Sequence, residues 1–250
     1  MTVQLGIDIG GSGVKGAPVD LDTAEFTAER VRFETPQPST PEAVAATTAE
    51  VAQAFTTKGT IGCTFPGIVQ NGVIRSAANL DQGWVGTDAA ALFSAAVGRP
   101  VVVLNDADAA GLAEARFGAA RGRSGVVLVL TFGTGIGSAL LNDGELVPNT
   151  ELGHVELDGH DAESRAAAAV REDDDLSWEE WGARVNRYLQ HLEALFTPDR
   201  FVIGGGVSRK FDKFAGLIEV RAEVVPAELR NQAGIVGAAL VAAGREAPPS

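Results

Sequence analysis

The chain has 250 residues, 45% of them hydrophobic and 21% charged, which is the balance of a globular protein large enough to bury a core. Its formal net charge of −13 argues against nucleic acid and anionic membranes as partners, because both bind basic surfaces. Cys63 is the only cysteine, so a disulfide framework is excluded, and without a signal peptide or a long apolar run we expect a cytoplasmic protein.

Strands and helices alternate along the first half of the chain. The apolar segment 3–9 predicts a buried strand, and a glycine-rich turn joins it to a second strand at 14–21. The other elements predicted in this half are strands at 26–35, 59–65 and 101–104, a hairpin at 68–75, and helices at 41–57, 88–97 and 106–117.

The second half continues this alternation. The elements predicted there are strands at 125–131, 138–141 and 201–203 and helices at 161–171, 177–196 and 228–244. Ser177 and Glu180 form a capping box at the start of the longest helix, whose Trp178 and Trp181 are expected to pack rather than to bind a ligand. We therefore predict an α/β fold.

An internal repeat predicts how the chain is organised. The segments LGIDIGGSGVKGAPVDLD (5–22) and LVLTFGTGIGSALLNDG (128–144) share an apolar strand, a glycine-rich turn, a second strand and an acidic turn. This duplication predicts two related α/β lobes that face each other across a cleft. We expect a smaller lobe over 1–104, to which the last helix at about 228–246 returns, and a larger lobe over 105–227.

The first glycine-rich turn contains the segment Gly11 to Gly16, which fits the pattern G-x-G-x-x-G. A dinucleotide site would need a helix next, but a strand-like segment follows, so we reject that interpretation. The turn could instead present backbone amides and the Ser12 hydroxyl to phosphate, with Lys15 adding charge and Asp8 holding a magnesium-bound water. The alternative is a tight hairpin whose glycines need a positive φ, with Asp8 as a turn acceptor.

Two further glycine-rich segments follow strands. Gly133 and Gly135 in the turn TFGTGIG would let the backbone approach phosphate, and Thr134 could donate to it. Its recurrence on an equivalent strand favours a shared phosphate over a bulged hairpin. Gly204-Gly205-Gly206 lies between a strand and a helix, which suits a donor site at a helix N-terminus or a simple connecting turn.

Candidate catalytic groups lie in two acidic segments. Asn105-Asp106-Ala107-Asp108 follows an apolar strand, where a carboxylate could accept the proton of an attacking hydroxyl, although Asn and Asp also cap helices. Glu151 and His154 suit sugar hydroxyls, and Glu163 could complete such a site or lie on an ordinary helix face. A zinc site ranks low because thiolates are missing.

Six segments of the chain form a recognisable set: DIGGSGVKG, FPG, LNDADAAG, TFGTGIG, ELGH and GGGVS. In their order and spacing they resemble the motifs of the ROK family of sugar kinases, and the resemblance covers nearly the whole chain. The resemblance implies the two-lobed actin/hexokinase/Hsp70-like (ribonuclease H-like) α/β fold with a central cleft. It also implies phosphoryl transfer to a hexose hydroxyl, Mg²⁺ as cofactor and a homodimer.

The resemblance implies a role for each motif. Asp106 would be the base that deprotonates the sugar 6-hydroxyl. The residues implied at the sugar are Asn79, Asn105, Glu151, His154 and Glu163, with Pro66 and Gly67 in a nearby turn. The residues implied at the donor are Asp8 (through Mg²⁺), Gly10, Gly11, Ser12, Gly13, Lys15, Gly133, Thr134 and Gly135, and Gly204, Gly205 and Gly206 where adenosine binds in members that use ATP.

The stretch after ELGH departs from many family members, which carry a cysteine-rich zinc motif there. VELDGHDAESRAAAAV has no cysteine, so zinc is not expected, and only Glu163 matches the motif. Together with LNDADAAGLAE and GGGVSRK, this stretch is similar to one subgroup of the family, the polyphosphate glucokinases. This resemblance implies that glucose is the acceptor and inorganic polyphosphate the donor, and it leaves open whether mannose and ATP are also used. Arg209, Lys210 and Lys213 would line a polyphosphate track, or form a basic turn that relieves local repulsion.

Three alternatives remain. A strictly ATP-dependent hexokinase of the same fold would differ only in its donor. A sugar-sensing transcription regulator of the same family would need a helix-turn-helix and a basic surface, and we expect neither, because the first phosphate strand begins by Val3. A non-catalytic sugar-binding module would not need Asp106.

Overall fold

The computed structural model describes residues 2–77 and 80–246. The chain forms two compact units: unit 1 consists of Met1–Ala113 with Gln232–Ser250, and unit 2 of Glu114–Asn231. The division falls within the helix Asp106–Phe117. The domain boundary after residue 104 remains a prediction.

Strands and helices follow each other in both units. The first elements are β1 (Val3–Gly10), β2 (Gly13–Asp20), β3 (Val31–Phe33), α1 (Pro41–Gln53), β4 (Ile61–Phe65), β5 (Val69–Gln70), β6 (Val73–Ile74), α2 (Ala89–Val97), β7 (Val101–Asn105) and α3 (Asp106–Phe117). The later elements are β8 (Val126–Phe132), β9 (Ile136–Asn142), β10 (Glu145–Val147), β11 (Glu156–Leu157), β12 (His160–Asp161), α4 (Glu163–Ala166), α5 (Ala168–Asp173), α6 (Trp178–Phe196), β13 (Arg200–Gly205), β14 (Glu223–Pro226) and α7 (Ala233–Glu246).

The two units share one sheet topology. The strand order is β3-β2-β1-β4-β7 in unit 1 and β10-β9-β8-β13-β14 in unit 2. In each sheet three strands form an antiparallel meander, and two further strands run parallel to the first strand of the meander. The α/β class and the duplication predicted from the sequence are thereby confirmed.

In unit 2, strand β8 is buried on both of its faces. Leu128, Leu130 and Phe132 pack with residues of α6, whereas Val127 and Val129 belong to the core on the opposite face of the sheet. Successive side chains of a strand point to opposite faces, so an uninterrupted apolar run is needed where both faces are covered.

Helix α7 packs directly on the sheet of unit 1 because glycines face it. A Cβ atom at Gly6 would collide with the carbonyl of Ile235, and one at Gly62 would overlap the backbone of Ala238. Glycine at both positions therefore lets the helix approach β1 and β4 at backbone distance.

Several predicted boundaries were wrong. The strand expected at 26–35 is only Val31–Phe33, and the helix expected at 161–171 is split at Ala167, whose ψ of 154° is extended. The last helix begins at Ala233 rather than 228, because Arg230 has a φ of 50°. A 3-10 helix over Gly206–Lys213 follows the third glycine segment.

None of the helices in the described part of the chain combines the length and apolarity that a bilayer-spanning helix needs.

We predict that Gly62→Ala lowers the free energy of unfolding by about 1–3 kcal/mol or more, because the new methyl group overpacks the α7 backbone. The matched control is Gly244→Ala on α7 itself, where nothing lies within 4 Å of the new Cβ atom, and a gain of up to about 1 kcal/mol is expected. Urea unfolding followed by circular dichroism measures both. Equal effects of the two substitutions would contradict the close packing of α7.

Candidate active site

The first glycine-rich turn is the tip of the β1–β2 hairpin, closed by the pairing of Gly10 with Gly13. The tip is exposed, and it is held by Thr35 and Arg32, which donate to the carbonyl oxygens of Gly10 (2.5 Å) and Ser12 (2.8 Å). The segment is a tight hairpin, but the glycines at 10, 11 and 13 do not have a positive φ, so the turn conformation does not explain why glycine stands there. The tip remains able to offer backbone amides to an anion.

Asp8 lies opposite Lys15 in the β1–β2 register, with 3.6 Å between Oδ2 of Asp8 and Nζ of Lys15. The Thr64 hydroxyl donates to its other oxygen at 2.8 Å. Gly234, in the first turn of α7, lies against the same carboxylate, where a helix N-terminus stabilises negative charge. The carboxylate is therefore held in a fixed orientation beside the turn.

Arg32 was missed by the sequence analysis. It pairs with Lys15 across β2 and β3, so two cations lie on neighbouring strands beside the first turn. No motif marks Arg32, because its position depends on where the short strand β3 joins the sheet.

Asp106 begins α3 directly after β7, and its side chain is half-buried, with Oδ1 accepting from the N–H of Ala107 at 2.8 Å. Asn105 acts as the helix cap, because its Oδ1 accepts from the N–H of Asp108 at 2.9 Å. The Nδ2 atom of Asn105 donates to the carbonyl of Gly67 at 3.1 Å. The Pro66-Gly67 turn is therefore tied to the start of the helix that carries Asp106. Asn79 lies outside the described residues.

The second glycine-rich turn connects β8 and β9 and contacts Glu163. A Cβ atom at Gly135 would collide with the Glu163 carboxylate, which accepts from the N–H of Ile136 at 2.9 Å. The turn closes through a bond from the N–H of Gly133 to the carbonyl of Gly135, and Thr134 at its tip is exposed. Glycine at 135 thus leaves room for the Glu163 carboxylate, whereas the sequence analysis attributed this glycine to phosphate binding alone.

Glu151 precedes a one-turn 3-10 helix, and His154 is its last residue; the surrounding core fixes this turn in place. The N–H of Leu152 donates to Oγ of Ser138 at 2.9 Å, and the hydroxyl of Tyr188 donates to the carbonyl of Leu152 at 3.0 Å. The predicted carboxylate and imidazole are therefore presented from a rigid turn.

Three acidic residues surround His154. Nδ1 of His154 lies 2.9 Å from Oδ2 of Asp161 and 3.8 Å from Oε1 of Glu163. The hydrogen bond with Asp161 raises the pKa of His154, and the charges of Glu163, Asp161 and Glu151 add to it, against a smaller opposing effect of burial. Burial raises the pKa of Glu151, and Glu163 adds to this, whereas His154 lowers it.

Asp161 is a second residue that the sequence analysis missed. It lies on the β11–β12 hairpin, and its Oδ1 also accepts from the N–H of Glu163 at 3.2 Å. One carboxylate thus orients both His154 and the segment that carries Glu163, and it leaves Nε2 of His154 for a ligand.

The same side chains around His154 could also bind a metal ion. One ligand atom each from His154, Asp161 and Glu163 lies within 4.8 Å of the others. The set has no thiolate, and structural zinc sites use thiolates or several imidazoles. That zinc is not used remains a prediction.

The third glycine segment lies next to the second in the sheet of unit 2. Parallel pairing of β13 with β8 aligns Gly204 with Thr131 and Gly205 with Phe132. Gly205 has a φ of 79°, and its Cα lies against the Phe132 backbone, so only glycine fits there. The 3-10 helix that follows carries the predicted donor cations, all of them exposed: Arg209, Lys210 and Lys213.

We predict that Asp161→Asn lowers the pKa of His154, because the imidazolium loses its carboxylate partner and releases its proton at a lower pH. NMR titration of the His154 ring measures this. Asp173→Asn, a substitution of an exposed carboxylate, is the control and should leave the His154 curve in place. Superimposable His154 curves for wild type and Asp161→Asn would contradict the orienting bond.

Comparisons with known proteins find relatives that match most of this chain. A polyphosphate glucokinase from Mycobacterium tuberculosis is 53% identical over 236 residues, which cover 94% of this chain and 89% of that protein. A polyphosphate glucokinase from Mycobacterium leprae is 51% identical over 94% of this chain and 73% of that protein. The crystal structure of an inorganic polyphosphate/ATP-glucomannokinase from Arthrobacter sp. strain KM superposes with a TM-score of 0.94 at 52% identity, covering 98% of this chain and 100% of that one.

The family model described as the ROK family matches residues 4–168. This range includes the first two glycine-rich turns and the segments around Asp106, Glu151 and Glu163. The fold topology, the family model and the relatives agree with the resemblance read from the motifs: the chain belongs to the ROK family.

Proposed function

We propose that this protein transfers a phosphoryl group from inorganic polyphosphate to the 6-hydroxyl of glucose. The observation that carries the proposal is the identity of 53% to a polyphosphate glucokinase over 94% of the chain. The site residues support it, because this chain has a carboxylate at the start of α3, an oriented imidazole and three glycine segments at strand ends.

In the proposed reaction the 6-hydroxyl oxygen of glucose attacks the terminal phosphorus of the donor. Asp106 accepts the hydroxyl proton as the new O–P bond forms. The bond from that phosphorus to the bridging oxygen breaks, and polyphosphate one unit shorter leaves. Glu151, His154 and Glu163 bind sugar hydroxyls, and Asn105 positions Asp106 while its second amide hydrogen is left for the sugar.

Charge neutralisation on the donor comes from several groups. The amides of the turns at 10–13 and 133–135 face the phosphates, and Lys15 and Arg32 add positive charge beside the first turn. Asp8 fits a Mg²⁺ ion held through water, because it is an oriented carboxylate near the end of β1. When bound, Mg²⁺ neutralises charge on the transferring phosphoryl group.

We predict that Asp106→Asn lowers kcat at least about 100-fold while the KM for glucose changes little, because the amide cannot accept the proton. A coupled assay for glucose 6-phosphate with long-chain polyphosphate measures both constants. The control is Glu145→Gln, the same carboxylate-to-amide change at an exposed position on β10. A near-wild-type kcat in Asp106→Asn would remove Asp106 from this role.

ATP as a second donor and mannose as a second acceptor form a second candidate function. The glucomannokinase that superposes on this chain is named for both donors and for both sugars. Running the same assay with polyphosphate and ATP side by side, and with glucose and mannose, separates the two functions. A wild-type protein active with ATP alone would favour the ATP-dependent hexokinase.

We predict that the double variant Arg209→Gln/Lys210→Gln raises the KM for long polyphosphate about tenfold and leaves the KM for glucose unchanged, because both cations would contact the donor. Lys58→Gln/Arg121→Gln removes two exposed charges elsewhere and controls for the change in net charge. Equal effects of the two double variants, or equal effects on both substrates, would argue for a basic turn without a donor role.

A further inference from the structure

A cationic cluster lies beside the donor loops of unit 2, around Trp178. Cζ of Arg171 lies 4.0 Å from the centre of the Trp178 ring, and Nζ of Lys213 lies 5.6 Å from the same centre. The two cations are therefore at most 9.6 Å apart, the sum of these distances. Trp178 is half-buried, whereas Trp181, its neighbour on α6, is fully buried.

The backbone links the segment of each cation to a glycine segment. The N–H of Ala169, two residues before Arg171, donates to the carbonyl of Gly133 at 3.0 Å. Lys213 ends the 3-10 helix that starts at Gly206. Since β8 and β13 pair in register at Phe132 and Gly205, two neighbouring strand ends each lead to one cation of the cluster.

The aromatic core fixes the platform. The Trp178 ring stacks on Phe214 at 6.0 Å and meets Trp181 edge-on at 5.8 Å. The indole N–H of Trp181 donates to the carbonyl oxygens of Ala166 and Ala167, both at 3.1 Å, which anchors the start of α5. The N–H of Leu176 donates to the carbonyl of Arg171 at 2.9 Å and closes the loop that brings α5 against Trp178.

The charges of the cluster have no protein counter-ion. Within residues 2–77 and 80–246, neither Arg171 nor Lys213 forms an ion pair or a side-chain hydrogen bond, and the buried Nε of Arg171 has no acceptor. Other arginines of unit 2, such as Arg184 and Arg187, pair with carboxylates. Two positive charges that lie near one ring and pair with no carboxylate can bind a polyanion, and a protein of net charge −13 needs such positions to do so.

We propose that Arg171 and Lys213, held on the Trp178 ring, form a subsite for the phosphates of a polyphosphate donor behind the one that is transferred. The inference rests on the proposed function. The subsite extends the donor track from the glycine segments to α5. The subsite selects long chains over short donors, because only a long chain reaches both the loops and the cluster.

The test compares Arg171→Gln with wild type in donor kinetics. We expect the KM for long polyphosphate to rise about tenfold, with the KM for tripolyphosphate and for glucose within about twofold of wild type. Arg116→Gln is the matched control, because Arg116 of unit 2 is an exposed arginine over the ring of Phe117 at 5.7 Å. An unchanged KM for polyphosphate, or equal rises for polyphosphate and tripolyphosphate or glucose, would overturn the subsite.

Two further measurements keep the outcomes separate. Calorimetric titration with long polyphosphate measures binding without turnover, so a tenfold weaker affinity in Arg171→Gln supports the subsite whether or not glucose is phosphorylated. A wild-type protein that phosphorylates no glucose would refute only the proposed function. If Arg171→Gln does not fold, Lys213→Gln, whose side chain is exposed, takes its place and should show the same selective loss. Wild-type affinity for polyphosphate in the folded variant would overturn the inference.

Discussion

Parallel strand pairing is the constraint on which the site depends. In unit 1, β4 pairs with β1 and β7, which aligns Phe65 with Asn105 and brings Thr64 to Asp8. In unit 2, the pairing of β8 with β13 aligns Phe132 with Gly205. Because carboxyl ends of parallel strands meet at one edge of a sheet, turns that are distant in sequence become neighbours in each unit. The duplicated topology provides this edge twice.

The second constraint is electrostatic. A chain of net charge −13 that binds a polyanion must concentrate positive potential where the donor lies. The cations near the glycine segments stand on short elements attached to those segments: Lys15 and Arg32 on β2 and β3, and Arg171, Arg209, Lys210 and Lys213 on α5 and a 3-10 helix. Arg184, Arg187 and Arg221 of unit 2 pair with carboxylates, so these arginines are not available to the donor in the same way.

The parts of the fold that could be predicted are those encoded by local sequence patterns and by the internal repeat. The duplicated strand–turn–strand plan predicted the sheet topology, and the polar residues after an apolar strand predicted the helix that begins at Asp106. Arg32 and Asp161 were missed because they reach the site through pairing of short strands that no periodicity reveals. Trp178 was expected only to pack, since the cations on its ring come from residues 7 positions before and 35 positions after it, counting from Arg171 and Lys213.

The proposed reaction depends on the position of the sugar relative to Asp106. The most direct measurement is a crystal structure of the wild-type protein with glucose bound. We expect the 6-hydroxyl oxygen to lie about 3 Å from a carboxylate oxygen of Asp106, with other hydroxyls bonded to Glu151 and His154. A 6-hydroxyl bonded to another carboxylate, with Asp106 out of reach of the sugar, would contradict the proposed reaction.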